Sequence, residues 1–198
     1  MNRMMKLMSL SAALVMGLSA MAQAGGHGPS WKLDAASSKV AFGSVKKDKV
    51  GEVHTFSGLS GGVNDEGKVT VEIDVASVET NIDIRNKRML KFVLNAAPKA
   101  KLTAQLDMAE LNALKPGDTT DIDVEGKLSI NGAEVEIEAT MFVARLGEKK
   151  VMVTTDEMLM VSTADLGIDA GIDKLMQLAK LPGITRVTPV TLRFVFTQ

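Results

Sequence analysis

The chain has 198 residues, with 23 Lys and Arg against 24 Asp and Glu, a formal charge of −1, no cysteine, no tyrosine and one tryptophan. This balance supplies no overall basic field for nucleic acid. The missing thiols exclude disulfides, thiol catalysis and a cysteine-based zinc site, and the length suits one domain with a core of its own.

Residues 1–24 read as a cleaved secretory signal peptide and are set apart from the fold. Arg3 and Lys6 precede an apolar run from Leu7 to Met21, and Ala22-Gln23-Ala24 gives the small-x-small cleavage pattern. The run is too short to span a bilayer comfortably, and no second one follows, so stable membrane insertion is not expected. Cleavage after Ala24 leaves residues 25–198 as the mature domain, with a charge of about −3 once Arg3 and Lys6 are lost, and points to the periplasm. It also makes the chain begin Gly25-Gly26-His27, whose amine, amides and imidazole can wrap Cu(II) or Ni(II) in a square plane; cleavage after Ala22 destroys that site.

Beyond Trp31 the pattern is alternation. Val69, Val71, Ile73 and Val75 interleave with Lys68, Thr70, Glu72 and Asp74, and Val135, Ile137, Ala139 and Met141 interleave with Glu134, Glu136, Glu138 and Thr140. In a strand, successive side chains point to opposite faces, so each run has one apolar and one wet side. Strands are predicted around 38–48, 51–60, 68–76, 100–108, 121–130, 133–145, 149–154 and 188–197. Asn131-Gly132 between two alternating runs is the strongest hairpin signal, since both residues tolerate positive φ.

Two segments leave the two-residue period. Ile82 to Leu94, with Asn81 as candidate N-cap, places apolar residues at 82, 89, 90 and 93. Ile172 to Leu181 puts Ile172, Leu175, Met176 and Ala179 on one stripe before Pro182-Gly183. The predicted fold is therefore all-β, an antiparallel eight-stranded barrel with two short helices, because closure removes exposed edges. A membrane barrel needs aromatic girdles that this composition lacks.

Alternation sends Glu72, Asp74, Asp121, Asp123, Glu125, Glu134, Glu136 and Glu138 to the solvent face. It sends Val40, Phe42, Val71, Ile73, Leu102, Leu106, Val124, Leu128, Ile137, Met141, Leu192 and Phe194 inward. A barrel lined by aliphatic side chains and few bulky aromatics can leave an apolar hole. Phe56 shares a face with His54, for which a surface position is the simple reading. Met89 and Phe92 on the first helix are candidate lid residues. Arg85 and Arg88 can bind a polar head at the barrel mouth, or else pair locally with Asp83. No Gly-rich phosphate loop, Gly-x-Ser-x-Gly elbow or His-Glu-x-x-His is present, so no catalytic residue is assigned.

In order along the chain stand Trp31-x-x-Asp34, Ser38-x-x-x-Phe42 and Gly51-Glu52-Val53-His54-Thr55-Phe56-Ser57-Gly58. Ile73-x-x-x-Ser77-Val78-x-Thr80, Arg85-x-x-x-Met89, Pro98-x-Ala100 and Val190-x-Leu192-x-Phe194 complete the series. At these residues the chain resembles the YceI-like family of periplasmic lipid- or polyisoprenoid-binding proteins. The resemblance implies a lipocalin-like barrel whose interior takes a long isoprenoid chain such as a quinone tail. The expected function is non-enzymatic binding or carriage of such an amphiphilic lipid, with no other cofactor. An enzyme acting on a small apolar substrate in the same pocket, or a structural or stress-related interaction protein with a filled core, are the alternatives. Oligomeric state is not fixed by the sequence, with a homodimer among the options.

Overall fold

The computed structural model describes residues 30–95 and 98–198. The signal peptide and the His27 site lie outside the described residues. The predicted alternations form eight antiparallel staves, several interrupted by a bend. β1 (Trp31–Leu33) and β2 (Lys39–Lys46) make the first stave, and β3 (Val50–Phe56) and β4 (Leu59–Val63) the second. β5 (Lys68–Asp74) and β6 (Val78–Glu79) make the third, followed by β7 (Lys99–Gln105), β8 (Thr119–Ile130) and β9 (Ala133–Gly147). β10 (Lys150–Thr155) and β11 (Leu159–Ser162) share the seventh stave, and β12 (Val187–Thr197) is the eighth.

Neighbouring staves pair in sequence order, and β12 pairs back onto β1, with Lys32 opposite Thr197, and onto β2, with Val190 opposite Phe42. The sheet thus closes into a barrel, with only the short β6 and β11 paired on one side. Asn131 and Gly132 take φ of 52° and 86°, so the β8–β9 hairpin turns where predicted, with Ile130 opposite Ala133. Positive φ at both turn positions is the type I′ turn, whose twist matches that of the flanking strands in so short a loop.

Among the described residues three α-helices, one more than expected, sit at the barrel ends. α1 (Asp83–Phe92) follows β6, α2 (Met108–Ala113) follows β7, and α3 (Asp169–Ala179) follows β11. α2 occupies residues assigned from sequence to the tail of a strand or to a loop. Its N-terminus is capped by Asp107, whose carboxylate accepts from the Ala109 amide at 2.9 Å. The cap of α1 also differs from expectation: Ile82, not Asn81, is the N-cap residue, and Asn81 sits one position earlier at φ 60°.

α1 and α3 pack against each other over one end of the barrel. Gly171 permits this, because a Cβ there would lie 2.2 Å from the Phe92 carbonyl oxygen and 2.8 Å from Val93 Cα. Asn131 secures the end of α1, donating from Nδ2 to the Val93 carbonyl at 2.8 Å. The core runs from Trp31 and Phe196 at one end of the barrel to Met89, Val93, Ile172 and Leu175 under the helices.

Candidate functional site

The barrel interior is hollow. A chamber of about 450 Å³ lies beneath α1 and α3, and a smaller one of about 140 Å³ lies towards α2. Leu102, Ile137, Leu159 and Leu192 line both, so these four side chains stand between the two spaces. The larger falls within the roughly 300–1,000 Å³ typical of small-molecule sites. Gly126 enlarges the smaller chamber by pointing no side chain inward from β8. At its far end the Arg145 guanidinium lies over the Trp31 ring, 4.7 Å from the centroid.

Eleven of the twelve predicted site residues lie on these walls. Phe42, Phe56, Ile73, Arg85, Arg88, Met89 and Leu128 face the larger chamber, Val71, Met141 and Phe194 the smaller, and Leu102 both. Phe92 is the exception and is not on either wall. It is half-buried at the end of α1, with the Lys91 ammonium 5.3 Å from its ring centroid. It is the Phe92 carbonyl that meets α3, 2.2 Å from where a Cβ at Gly171 would lie. Val40, Leu106, Val124, Ile137 and Leu192, also read as inward, line the hollow as well.

One end of the larger chamber carries a polar cluster from which sequence reasoning picked out Arg85 and Arg88 but missed Ser44, Lys46 and Glu52. Along β2 the inward face runs Val40, Phe42, Ser44, Lys46, and along β3 it runs Phe56, His54, Glu52. Alternation therefore carries the apolar face straight into a polar one near the hairpin tip. Glu52 accepts from Lys46 Nζ at 2.9 Å and from Arg85 Nη1 at 2.6 Å. Arg85 thus pairs with Glu52 and not with Asp83. Its other terminal nitrogen donates to the Thr80 carbonyl, and its Nε is buried without a partner.

The turn into α1 holds Arg85 in place. Thr80, only 1% exposed, donates its amide and hydroxyl to Asn86 Oδ1 at 2.9 and 2.5 Å, and Asn86 donates to Glu79 Oε1 at 3.1 Å. Burial by itself raises the Glu52 pKa, but the hydrogen bonds and charges of Lys46 and Arg85 outweigh it and hold the carboxyl below its ordinary range. Glu52 is therefore ionised at neutral pH and engaged by both cations.

His54 is buried, not at the surface: it is 4% exposed and lines the chamber. Its ring stands 5.1 Å from Phe42, which in turn stacks on Phe56 at 5.2 Å. Nε2 lies 3.0 Å from Ser44 Oγ, while Nδ1 is buried without a partner. Burial, followed by the positive charge of Arg85, pushes the imidazole pKa down, so the neutral ring prevails at pH 7. Among the described residues no group of histidine and acidic side chains is placed to hold a metal ion.

The family model for the YceI-like domain matches residues 31–196 of the chain. The chain belongs to the YceI-like family. One solved relative is a polyisoprenoid-binding domain from Saccharophagus degradans, implicated in plant cell wall breakdown. It is 34% identical, with a TM-score of 0.82, over 84% of this chain and 97% of its own. BcnA of Burkholderia cenocepacia shares the fold at 20% identity, with a TM-score of 0.62 over 82% of this chain and 98% of its own. The YceI protein of Campylobacter jejuni does so at 13% identity, with a TM-score of 0.53 over 73% of this chain and 84% of its own. No curated protein matches the chain. In this YceI-like chain no described helix is long and apolar enough to cross a membrane.

Proposed function

We propose that this YceI-like protein is a non-enzymatic, periplasmic binding protein for an isoprenoid or similar amphiphilic lipid, quinone-like in having a long apolar tail and a small polar head. The observation that carries the reading is the pair of adjoining apolar chambers, with a polar cluster at one end of the larger. A tail fills the barrel, and the head stays beside Ser44, Glu52, His54 and Arg85. The relative from Saccharophagus degradans, described as polyisoprenoid-binding, supports the same cargo class.

Energetics set what such a site can select. Each five-carbon unit moved out of water is worth roughly 4 kcal/mol, at about 0.8 kcal/mol per CH₂. In a cell the tail comes from a bilayer that is already apolar, so little of this is gained. The barrel then loads and unloads freely, and discrimination falls to tunnel shape and the polar groups at the mouth. Protein purified from its native host and examined by native mass spectrometry with organic extraction is expected to carry a co-purifying isoprenoid. An empty interior that also refuses added isoprenoid in detergent overturns the proposal.

The 3.0 Å contact between Ser44 Oγ and His54 Nε2 favours a second reading, an enzyme acting on a small apolar substrate in the same chamber. Turnover of an apolar ester that disappears in His54→Ala establishes it, and no turnover removes it.

A further inference from the structure

The exposed members of the larger chamber's lining mark its opening. They are Lys47 at the β2–β3 hairpin tip, Ile82 and Ile84 at the start of α1, and Ala179 at the end of α3. The hairpin tip is tied to the loop after α3, since the Lys47 amide donates to the Gly183 carbonyl at 3.1 Å and Lys46 bridges to Ile184. These segments therefore form one continuous rim.

The rim has a composition unlike the rest of the surface. Ile82 and Ile84 are 41% and 54% exposed although both also reach the chamber. Around them stand Lys47, Lys49, Lys87 and Arg88, none of which forms an ion pair among the described residues. The nearby acids are Asp48, Asp83, Glu79, which accepts from Asn81 and Asn86, and Glu52, which Lys46 and Arg85 already occupy; with Lys46 and Arg85 counted, six cations stand against four acids. The β8–β9 wall, by contrast, displays Asp121, Asp123, Glu125, Glu134, Glu136 and Glu138 outward. The net charge of −1 thus conceals a basic mouth and an acidic flank.

Exposed aliphatic side chains ringed by free cations are the composition of a surface that lies at a lipid headgroup layer. We propose that this rim docks reversibly on an anionic bilayer. Ile82 and Ile84 enter the boundary between headgroups and acyl chains, and Lys47, Lys49, Lys87 and Arg88 meet lipid phosphates. This inference rests on the proposed lipid cargo, and it adds the route: the opening faces the membrane, so the apolar tail passes into the barrel without crossing water. The outward acids of the barrel wall keep the protein from lying on its side.

Flotation of the full-chain protein with vesicles tests this directly. Vesicles of phosphatidylcholine and phosphatidylglycerol in equal parts are expected to retain the protein at low salt. Pure phosphatidylcholine is expected to retain far less, and added salt to release it. The exposed lysines Lys49 and Lys87 lie outside the chamber lining, and each cation near an anionic surface contributes about fivefold in binding. The double variant Lys49→Glu/Lys87→Glu should bind the anionic vesicles at least about tenfold more weakly and take up a fluorescent isoprenoid from them more slowly. Its loading from neutral detergent should match the parent. Ile84→Asp should weaken vesicle binding as well. All variants share one N-terminus, so its contribution cancels.

Equal retention by neutral and anionic vesicles, or no loss on charge reversal, overturns the docking. Full-speed uptake from vesicles that the protein does not bind overturns it too. Charge-dependent vesicle binding with no uptake from any source upholds the docking and overturns the cargo.

Discussion

His54 is the one titratable side chain in the buried class among the described residues, and its surroundings give it a measurable signature. Its ring faces Phe42, Ser44 takes one nitrogen, and Lys46, Glu52 and Arg85 are the charged groups around it. Burial first, then the Arg85 and Lys46 charges, lower its folded pKa, with Glu52 opposing. The unfolded value stays near the ordinary 6.5. Below that pH the unfolded chain binds a proton that the folded chain refuses. Stability conferred by the neutral ring is therefore complete above 6.5 and is lost as pH falls towards the folded pKa. One proton gives a slope of at most about 1.4 kcal/mol per pH unit. Urea unfolding between about pH 7 and pH 5 should show that loss in the parent protein and a flatter profile in His54→Gln. Identical profiles would mean that folding leaves the His54 pKa unchanged.

At the scale of elements, the α1–α3 contact and the β8–β9 turn both depend on glycine, for different reasons. In Gly171→Val the new side chain collides with the Phe92 carbonyl and Val93 Cα, backbone atoms that cannot swing aside. A cost of about 2–3 kcal/mol in unfolding free energy is expected, with the helices displaced over the chamber. Gly132→Ala meets nothing within 4 Å and is opposed only by its φ of 86°, so about 1 kcal/mol is expected. Chemical denaturation of the two variants side by side checks the difference; equal costs would remove the helix contact as a constraint. The staves themselves were legible because a barrel wall has one wet and one dry face, which writes a period of two into Val69–Val75 or Glu134–Met141. The stripe at Ile172, Leu175, Met176 and Ala179 marked α3 in the same way. α2 spans six residues, too few for a helical stripe to repeat, and only its cap, Asp107, signals a start. The bends that split the first, second, third and seventh staves leave no periodic trace, since each side keeps its alternation.

For the molecule as a whole, the apolar part of the site was readable, and of the polar part Arg85 and Arg88 were, but not the groups they meet. Lining residues such as Val71 or Leu128 lie on a dry face whatever the strand's neighbours are. The pairing of Arg85 with Glu52 joins residues 33 apart and exists only once the helix folds over the hairpin. Extending the alternation of Val40 and Phe42 to Ser44 and Lys46, and of Phe56 back to Glu52, is the signal that locates the polar end. The closed barrel turns these faces into two spaces that share Leu102, Ile137, Leu159 and Leu192 as lining, and passage between them sets the length of chain the barrel can take. Ile137 lies opposite Gly126 across β8 and β9 and borders both chambers. In Ile137→Trp the added ring fills space between them while the polar mouth keeps its own side chains. A short isoprenoid that fits beneath α1 and α3 should bind the variant as it binds the parent. One long enough to pass between the two chambers should lose at least about tenfold in affinity, or about 1.4 kcal/mol. Competition between the two chain lengths, read by native mass spectrometry, separates the outcomes. Equal weakening for both lengths would place the whole tail in the larger chamber and leave the smaller one as packing space.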